Sequence, residues 1–285
     1  MNMSLTIPLL AFGICALLHW VALKDFVKLG ILDFPERYGL KRDRLPYPTG
    51  ILSILTFVSI YAFIAPWTAQ TAGILSAIFL LALVSFIDDR RTVPPKLRLL
   101  VQAFVAFIIF ATGSRIYTLT NPLLADGLLN LDTIDIPTTL FGPLPLWSGV
   151  FTIFWLMLCM NALNWFDGIP GQVSTLSTIG FLVIGILSIS DRANQPELAL
   201  IAFVLAGICF AGFLFDFPPN RVLMGDTGAM FFGLMLGVLT IYAGGKVATA
   251  FLVLGVPLID VLFVVIRRLA KGTSPLKGND TNEHL

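Results

Sequence analysis

The sequence predicts an all-α integral membrane protein, a polytopic bundle of about nine transmembrane helices. Three observations predict it. Of 285 residues, 57% are hydrophobic and only 12% are charged, a balance outside that of soluble domains. Nine mostly apolar runs of about 17 to 25 residues follow one another, each the length a helix needs to cross a bilayer. Lys and Arg also crowd into alternate connections, as the positive-inside rule requires of a multi-pass chain. The runs are too long and too uniformly apolar for barrel strands, and lipid leaves no other way to satisfy the backbone, so helices are expected.

In chain order the runs fall at about 3–23, 49–65, 70–87, 97–112, 144–163, 173–190, 197–215, 229–244 and 246–266. The first lacks a preceding basic region and an A-x-A-like site, so it is expected as a retained anchor. The third ends in "SFIDDRR", the fifth in "NALNWFDG", and "PPNRVLMGDTGA" leads into the eighth. Between the fourth and fifth, 113–143 carries "RIYTL" and "LLNLDTIDIP" around turn-forming Asn121, Pro122 and Gly127, the pattern of a short hairpin or outer-face cap. The ninth contains Asp260, whose charge is costly in hydrocarbon and should face the bundle interior or a polar cavity. Cys15, Cys159 and Cys209 each sit within an apolar run, without ligand spacing, and read as small core side chains. No internal repeat or low-complexity tract interrupts the pattern, so 1–285 reads as one membrane-embedded domain.

Orientation follows from the basic residues. With the N-terminus outside, the cytoplasmic connections hold Lys24, Lys28, Arg37, Lys41, Arg42, Arg44, Arg90, Arg91, Lys96, Arg98, Arg221, Arg267, Arg268, Lys271 and Lys277. Only Arg115, Arg192 and Lys246 then lie outside. A net charge of +1 thus hides an asymmetry that favours anionic substrates or lipid headgroups on the cytoplasmic face.

The acids Asp88, Asp89, Asp167 and Asp226 stand at helix ends on that same face, in three separate connections. Taken singly each has an ordinary structural explanation. "DDRR" is a common solvated loop, "GDTG" a turn with a helix cap, and "NALN" an amide pair satisfying helix-end carbonyls. Together, carboxylates gathered at one membrane surface repel one another unless they are splayed into water or a cation joins them. Mg²⁺ is the natural choice, because it takes hard oxygen ligands and commonly bridges to substrate phosphates.

These residues carry a resemblance. "FIDDRRTVPPKLRLLVQ", "NALNWFDGIPG" and "FPPNRVLMGDTGAMFFG", with "DFPERYGLKRDRLPYPTGI" before the second helix, resemble the polyprenyl-phosphate N-acetylhexosamine-1-phosphate transferase family. The resemblance runs along the whole chain. It implies a multi-helix membrane enzyme that moves a sugar 1-phosphate from a UDP-sugar to undecaprenyl phosphate, with Mg²⁺ (or Mn²⁺ in its place) and release of UMP, the first membrane step of cell-wall or surface polysaccharide synthesis. Its implied partners are the UDP-sugar, the polyprenyl phosphate and membrane lipid, with no nucleic acid; a homodimer is compatible with it. By this match Asp88 and Asp89 are the acidic pair, acting as base on the lipid phosphate or as a covalent nucleophile. Asp226 and Asn164 would hold the metal, and Asn161, Asp167, Lys96, Arg221 and His284 would contact substrate. Lys96 and Arg221 read equally well as positive-inside residues.

Two departures from the family stand out. Where it reads DGxDG, this chain has "DGIPG", with Pro170 replacing an acid. Proline neither ligates a metal nor accepts a proton, so a catalytically weakened homologue is one alternative reading. The chain also stops at Leu285, within what resembles the start of a histidine-rich loop, so it is expected to lack a tenth helix and to be incomplete at its C-terminus. "SPLKG" leans towards the N-acetylglucosamine branch over phospho-N-acetylmuramoyl-pentapeptide transferase, the second alternative. A transporter, a remote third, would place polar interruptions near the midplane, whereas here they cluster at helix ends.

Overall fold

A computed structural model describes residues 5–39, 41–120, 127–243, 247–270 and 272. Helices form on the apolar runs: α1 (Thr6–Lys28), α2 (Gly50–Ile64), α3 (Ala69–Arg90), α4 (Pro95–Ala111), α5 (Leu146–Phe166), α6 (Gln172–Ile189), α7 (Pro196–Asp216), α8 (Gly225–Tyr242) and α9 (Val247–Ala270). Six of these, α1, α3, α5, α6, α7 and α8, are long and apolar enough to cross a membrane, and α2 is a shorter apolar helix. This supports an all-α membrane protein. The criterion of length and composition does not reach the nine spans expected.

Two boundaries move in a way that matters for function. Helix α5 runs on through Phe166, so Asn161 and Asn164 are helical and not in a loop; α8 begins at Gly225, which takes Asp226 into its first turn. Prolines set other starts: Pro95 opens α4 and Pro196 opens α7, positions where a missing N–H costs nothing and φ is already helical.

Helix α8 is the axis of the bundle. Nearly all its residues from Gly225 to Ile241 are buried, and α2, α3, α5 and α6 pack around it. Small residues permit the approach. A Cβ on Gly50 would stand 2.3 Å from the Gly228 backbone, and one on Gly233 would stand 2.6 Å from the Cys159 carbonyl oxygen. Core side chains such as Phe57, Phe181, Phe231 and Phe232 fill the remaining space, while Phe63, Phe79 and Leu9 are exposed. Large apolar side chains left facing outward along long apolar helices are what a lipid-facing surface requires. The three cysteines are free and buried.

Between α4 and α5 lie two small antiparallel pairs, β1 (Thr118–Thr120) with β2 (Leu128–Asn130) and β3 (Asp135–Ile136) with β4 (Leu144–Pro145). Asn121 and Pro122 lie outside the described residues. At the other end of the bundle, the connection from α1 to α2 folds over the ends of α3 and α8. Asp33 accepts from the Leu45 amide (2.6 Å) and pairs with Arg42 (2.6 Å), and the Leu223 amide donates to the Pro46 carbonyl (3.0 Å).

Candidate active site

The site forms where α3, α5 and α7 end and α4, α6 and α8 begin. Asp88 and Asp89 occupy the last turn of α3. As neighbours on a helix they point about 100° apart, and they meet different partners. The Asp89 carboxylate accepts from the Tyr47 hydroxyl (2.6 Å), the Asp226 amide (2.9 Å), the Thr227 amide (3.0 Å) and the Thr227 hydroxyl. It therefore satisfies orphan N–H groups in the first turn of α8, where the helix dipole favours a negative charge. Gly225 makes this approach feasible: its φ is +79°, and a Cβ there would lie 2.9 Å from Asp89 Oδ2.

Asp88 instead accepts from the Val93 amide (2.8 Å) and pairs with Arg98 Nη1 at 2.9 Å. The second arm of the same guanidinium, Nη2, lies 3.0 Å from Asp226 Oδ2 and donates to Asn164 Oδ1 at 3.1 Å. One arginine thus joins α3, α5 and α8 from the first turn of α4. Sequence reasoning counted Arg98 only among the topogenic charges. The signal that could have found it was its place one turn after Pro95, at the start of an apolar run and facing the acidic pair.

The amides of α5 divide in role. Asn161 is locked to α4, donating to Gln102 Oε1 (2.7 Å) and to the Met157 carbonyl (2.7 Å), and Gln102 is buried. It serves as an inter-helix amide pair and does not face the Arg98 cluster through any of these bonds. Asn164 spends its oxygen on Arg98, while its buried Nδ2 makes no well-formed hydrogen bond and only leans on the Asp226 carboxylate, whose charge it favours. A buried donor without a full partner is costly, and this one belongs to a side chain that is already at the cluster.

Asp167 caps the end of α5, its amide donating to the Asn164 carbonyl (3.3 Å). Loss of water around it, then the charges of Asp216, Asp226 and Asp89, push its carboxyl well above the usual carboxylate range. Asp216, which the sequence reading did not single out, is buried at the end of α7 and accepts from the Gly171 amide (2.9 Å) and Ser174 Oγ (3.2 Å). It fixes the turn "DGIPG" to the start of α6. Gly171 has φ +83°, and a Cβ on it would lie 3.0 Å from Phe217. Pro170 precedes it in that turn, where a second acid of the family pattern would stand.

The predicted basic contacts lie elsewhere. Lys96 is exposed. Arg221 donates from Nη2 to the Leu214 carbonyl (3.1 Å) and sits 4.8 Å over the Phe215 ring, against the end of α7. Neither meets the carboxylates through these contacts. His284 lies outside the described residues, as does the side chain of Asp260.

The donor set suits a divalent cation. Among the described residues no group of three or more His, Cys, Asp or Glu could hold a metal. Yet two carboxylates and an amide oxygen already converge on one positive group, and hard oxygens are what Mg²⁺ takes.

The segment that carries this site, residues 71–244, matches the model of glycosyl transferase family 4. The chain belongs to that family. A probable undecaprenyl-phosphate N-acetylglucosaminyl 1-phosphate transferase of Bacillus subtilis (strain 168) is 28% identical over 252 residues, covering 85% of this chain and 65% of that protein. The undecaprenyl-phosphate alpha-N-acetylglucosaminyl 1-phosphate transferase of Salmonella typhimurium is 25% identical over 279 residues, 93% of this chain and 71% of that one. A phospho-N-acetylmuramoyl-pentapeptide-transferase of Streptococcus equi subsp. zooepidemicus is 26% identical over 255 residues, 85% and 73%. The chain therefore spans about two thirds to three quarters of the length of these relatives. Both sugar branches weighed in the sequence occur among them.

Proposed function

We propose that this protein transfers an N-acetylhexosamine 1-phosphate from a UDP-sugar to a polyprenyl phosphate. An oxygen of the lipid phosphate would attack the β-phosphorus of the UDP-sugar, the bond from that phosphorus to the bridging oxygen would break, and UMP would leave. The observation that carries the reading is the convergence of Asp88, Asp226 and Asn164, from three helices, on one positive group. Two polyanions must meet in such a reaction, and a positive centre held by several helix ends is what lowers their repulsion. The names of the relatives from Bacillus subtilis and Salmonella typhimurium support the N-acetylglucosamine branch.

In this reading Asp226 and Asn164 would hold a Mg²⁺ ion, whose charge would supply screening of the phosphates and stabilisation of departing UMP. Asp88 acts as the reacting carboxylate, as base or as nucleophile. Asp89 is committed to four donors and positions α8 beneath it. The Asn164 amide, without a well-formed partner, donates to substrate. All nine helices cross the plasma membrane in this reading, with the site on the cytoplasmic side and the N-terminal end of α1 outside, as the distribution of Lys and Arg favours.

The test is transfer of radiolabelled sugar phosphate from several UDP-sugars into a butanol-extractable lipid, with Mg²⁺ compared against EDTA. Labelled lipid should form from an N-acetylhexosamine donor, only with Mg²⁺, and Asp226→Asn should nearly abolish it without changing membrane insertion. No labelled lipid from any donor would overturn the reaction. Retention of most transfer in Asp226→Asn would overturn the assigned ligand.

A further inference from the structure

We infer that Arg98 is a resident counter-ion that competes with the divalent cation for the same oxygen ligands, leaves them when the metal arrives, and is thereby released towards the substrate phosphates. The inference rests on the proposed metal-assisted reading of the site. Its basis is the shape of the cluster. Arg98 Nη1 stands 2.9 Å from Asp88 Oδ2, and Nη2 stands 3.0 Å from Asp226 Oδ2 and 3.1 Å from Asn164 Oδ1. The oxygens assigned to the metal are thus occupied by a cation that belongs to the chain. A guanidinium bonded to these oxygens takes up one lone pair on each and repels a second cation brought to the same place, so binding of one weakens binding of the other.

The remaining surroundings favour exchange over a permanent lock. The Arg98 side chain is 27% exposed and that of Asp226 is 32% exposed, so water reaches this arm and it is held weakly, whereas the arm on Asp88, whose side chain is 8% exposed, is the firmer one. Arg98 stands in the first turn of α4 on a long, unbranched side chain, free to turn about its own torsions without moving the helix. Without its charge, Asp88 and Asp226 would face each other uncompensated, so the arginine keeps the site assembled between turnovers. Once displaced, its planar fork matches a phosphate better than a point charge does, and the nucleotide diphosphate must come to this place. Lys96, exposed two residues earlier, takes no part in the cluster.

The experiment measures Mn²⁺ binding to purified full-length protein in detergent by the loss of the free-ion paramagnetic resonance signal. It is paired with thermal melting in EDTA, and neither readout needs transfer activity. Arg98→Met should melt lower in EDTA than the unsubstituted protein and should bind Mn²⁺ on the order of tenfold more tightly, because the competitor is gone. Arg98→Lys keeps the charge but cannot span both carboxylates, so its affinity should rise by less. Guanidinium ion added at low concentration to Arg98→Met should weaken its Mn²⁺ binding again, and an absence of weakening would count against the competition. If Arg98→Met folds only with Mn²⁺ present, the counter-ion role stands, and Arg98→Lys supplies the affinity comparison. Equal or weaker Mn²⁺ binding in both variants would overturn the inference while leaving the metal site intact. No Mn²⁺ binding by any of the proteins would overturn the metal reading itself.

Discussion

At the residue scale the acidic pair of α3 separates into two tasks. Asp89 accepts from Tyr47, from the Asp226 amide and twice from Thr227, whereas Asp88 touches the Val93 amide and Arg98. Asparagine at position 89 would turn an NH₂ group towards donors, leaving at least one of them unpaired. Asp89→Asn is therefore expected to destabilise the fold by about 2 kcal/mol, the worth of hydrogen bonds to a charged group, read as a lowered melting temperature. Asp88→Asn should keep most of that stability and lose transfer. Equal melting of the two variants would show that Asp89 is not an anchor of α8. The sequence could place these acids at one face because helix ends follow from the apolar runs. Their helical spacing argues that the two are not equivalent, but the sequence could not say that Asp89 anchors α8, since its partners come from 42 and more than a hundred positions away. Arg98 is near Asp88 in the chain, but its bonds to Asn164 and Asp226 join α4 to α5 and α8 from far along the sequence, while Asn161, a residue matched to the family pattern, spends its side chain on Gln102.

Elements were more legible than residues, because bilayer thickness imposes a length on each apolar run and the sequence shows that length directly. The errors came at the ends. Apolarity fades before the backbone stops being helical, so α5 carries polar Asn161 and Asn164 in its last turns and α8 starts on Gly225 and Asp226. Packing between elements was not legible, since a glycine reads alike whether it faces lipid or another backbone. Gly50 meets the Gly228 backbone at 2.3 Å for an added Cβ, whereas Gly13 in α1 meets nothing within 4 Å. Gly50→Ala should force α2 away from α8 and lower both the melting temperature and transfer. Gly13→Ala should raise stability by up to about 1 kcal/mol through helix propensity alone. A thermal-shift comparison in the same detergent checks both, and a harmless Gly50→Ala would mean that the two helices do not touch there.

For the whole molecule, the charge pattern and the fold make one joint demand. Helices α3, α5 and α7 end where the site is, and α6, which starts there at Gln172, runs 18 residues to Ile189, about 27 Å at 1.5 Å per residue. Arg192 follows that far end and is exposed, whereas Lys96 stands exposed at the start of α4 beside the site. The two positions should therefore lie on opposite sides of a bilayer of roughly 30 Å hydrocarbon thickness. Cys15, Cys159 and Cys209 are buried, so a single added cysteine will dominate labelling by a membrane-impermeant maleimide. Arg192→Cys is expected to label in intact cells, and Lys96→Cys only after permeabilisation. Lys and Arg would be the cause of this asymmetry, because translocating them is disfavoured, and the topology read from the sequence puts fifteen of the 18 on the cytoplasmic side. Labelling in the reverse order would place the carboxylate cluster outside, away from any cytoplasmic nucleotide sugar, and would remove the donor on which the proposed reaction depends.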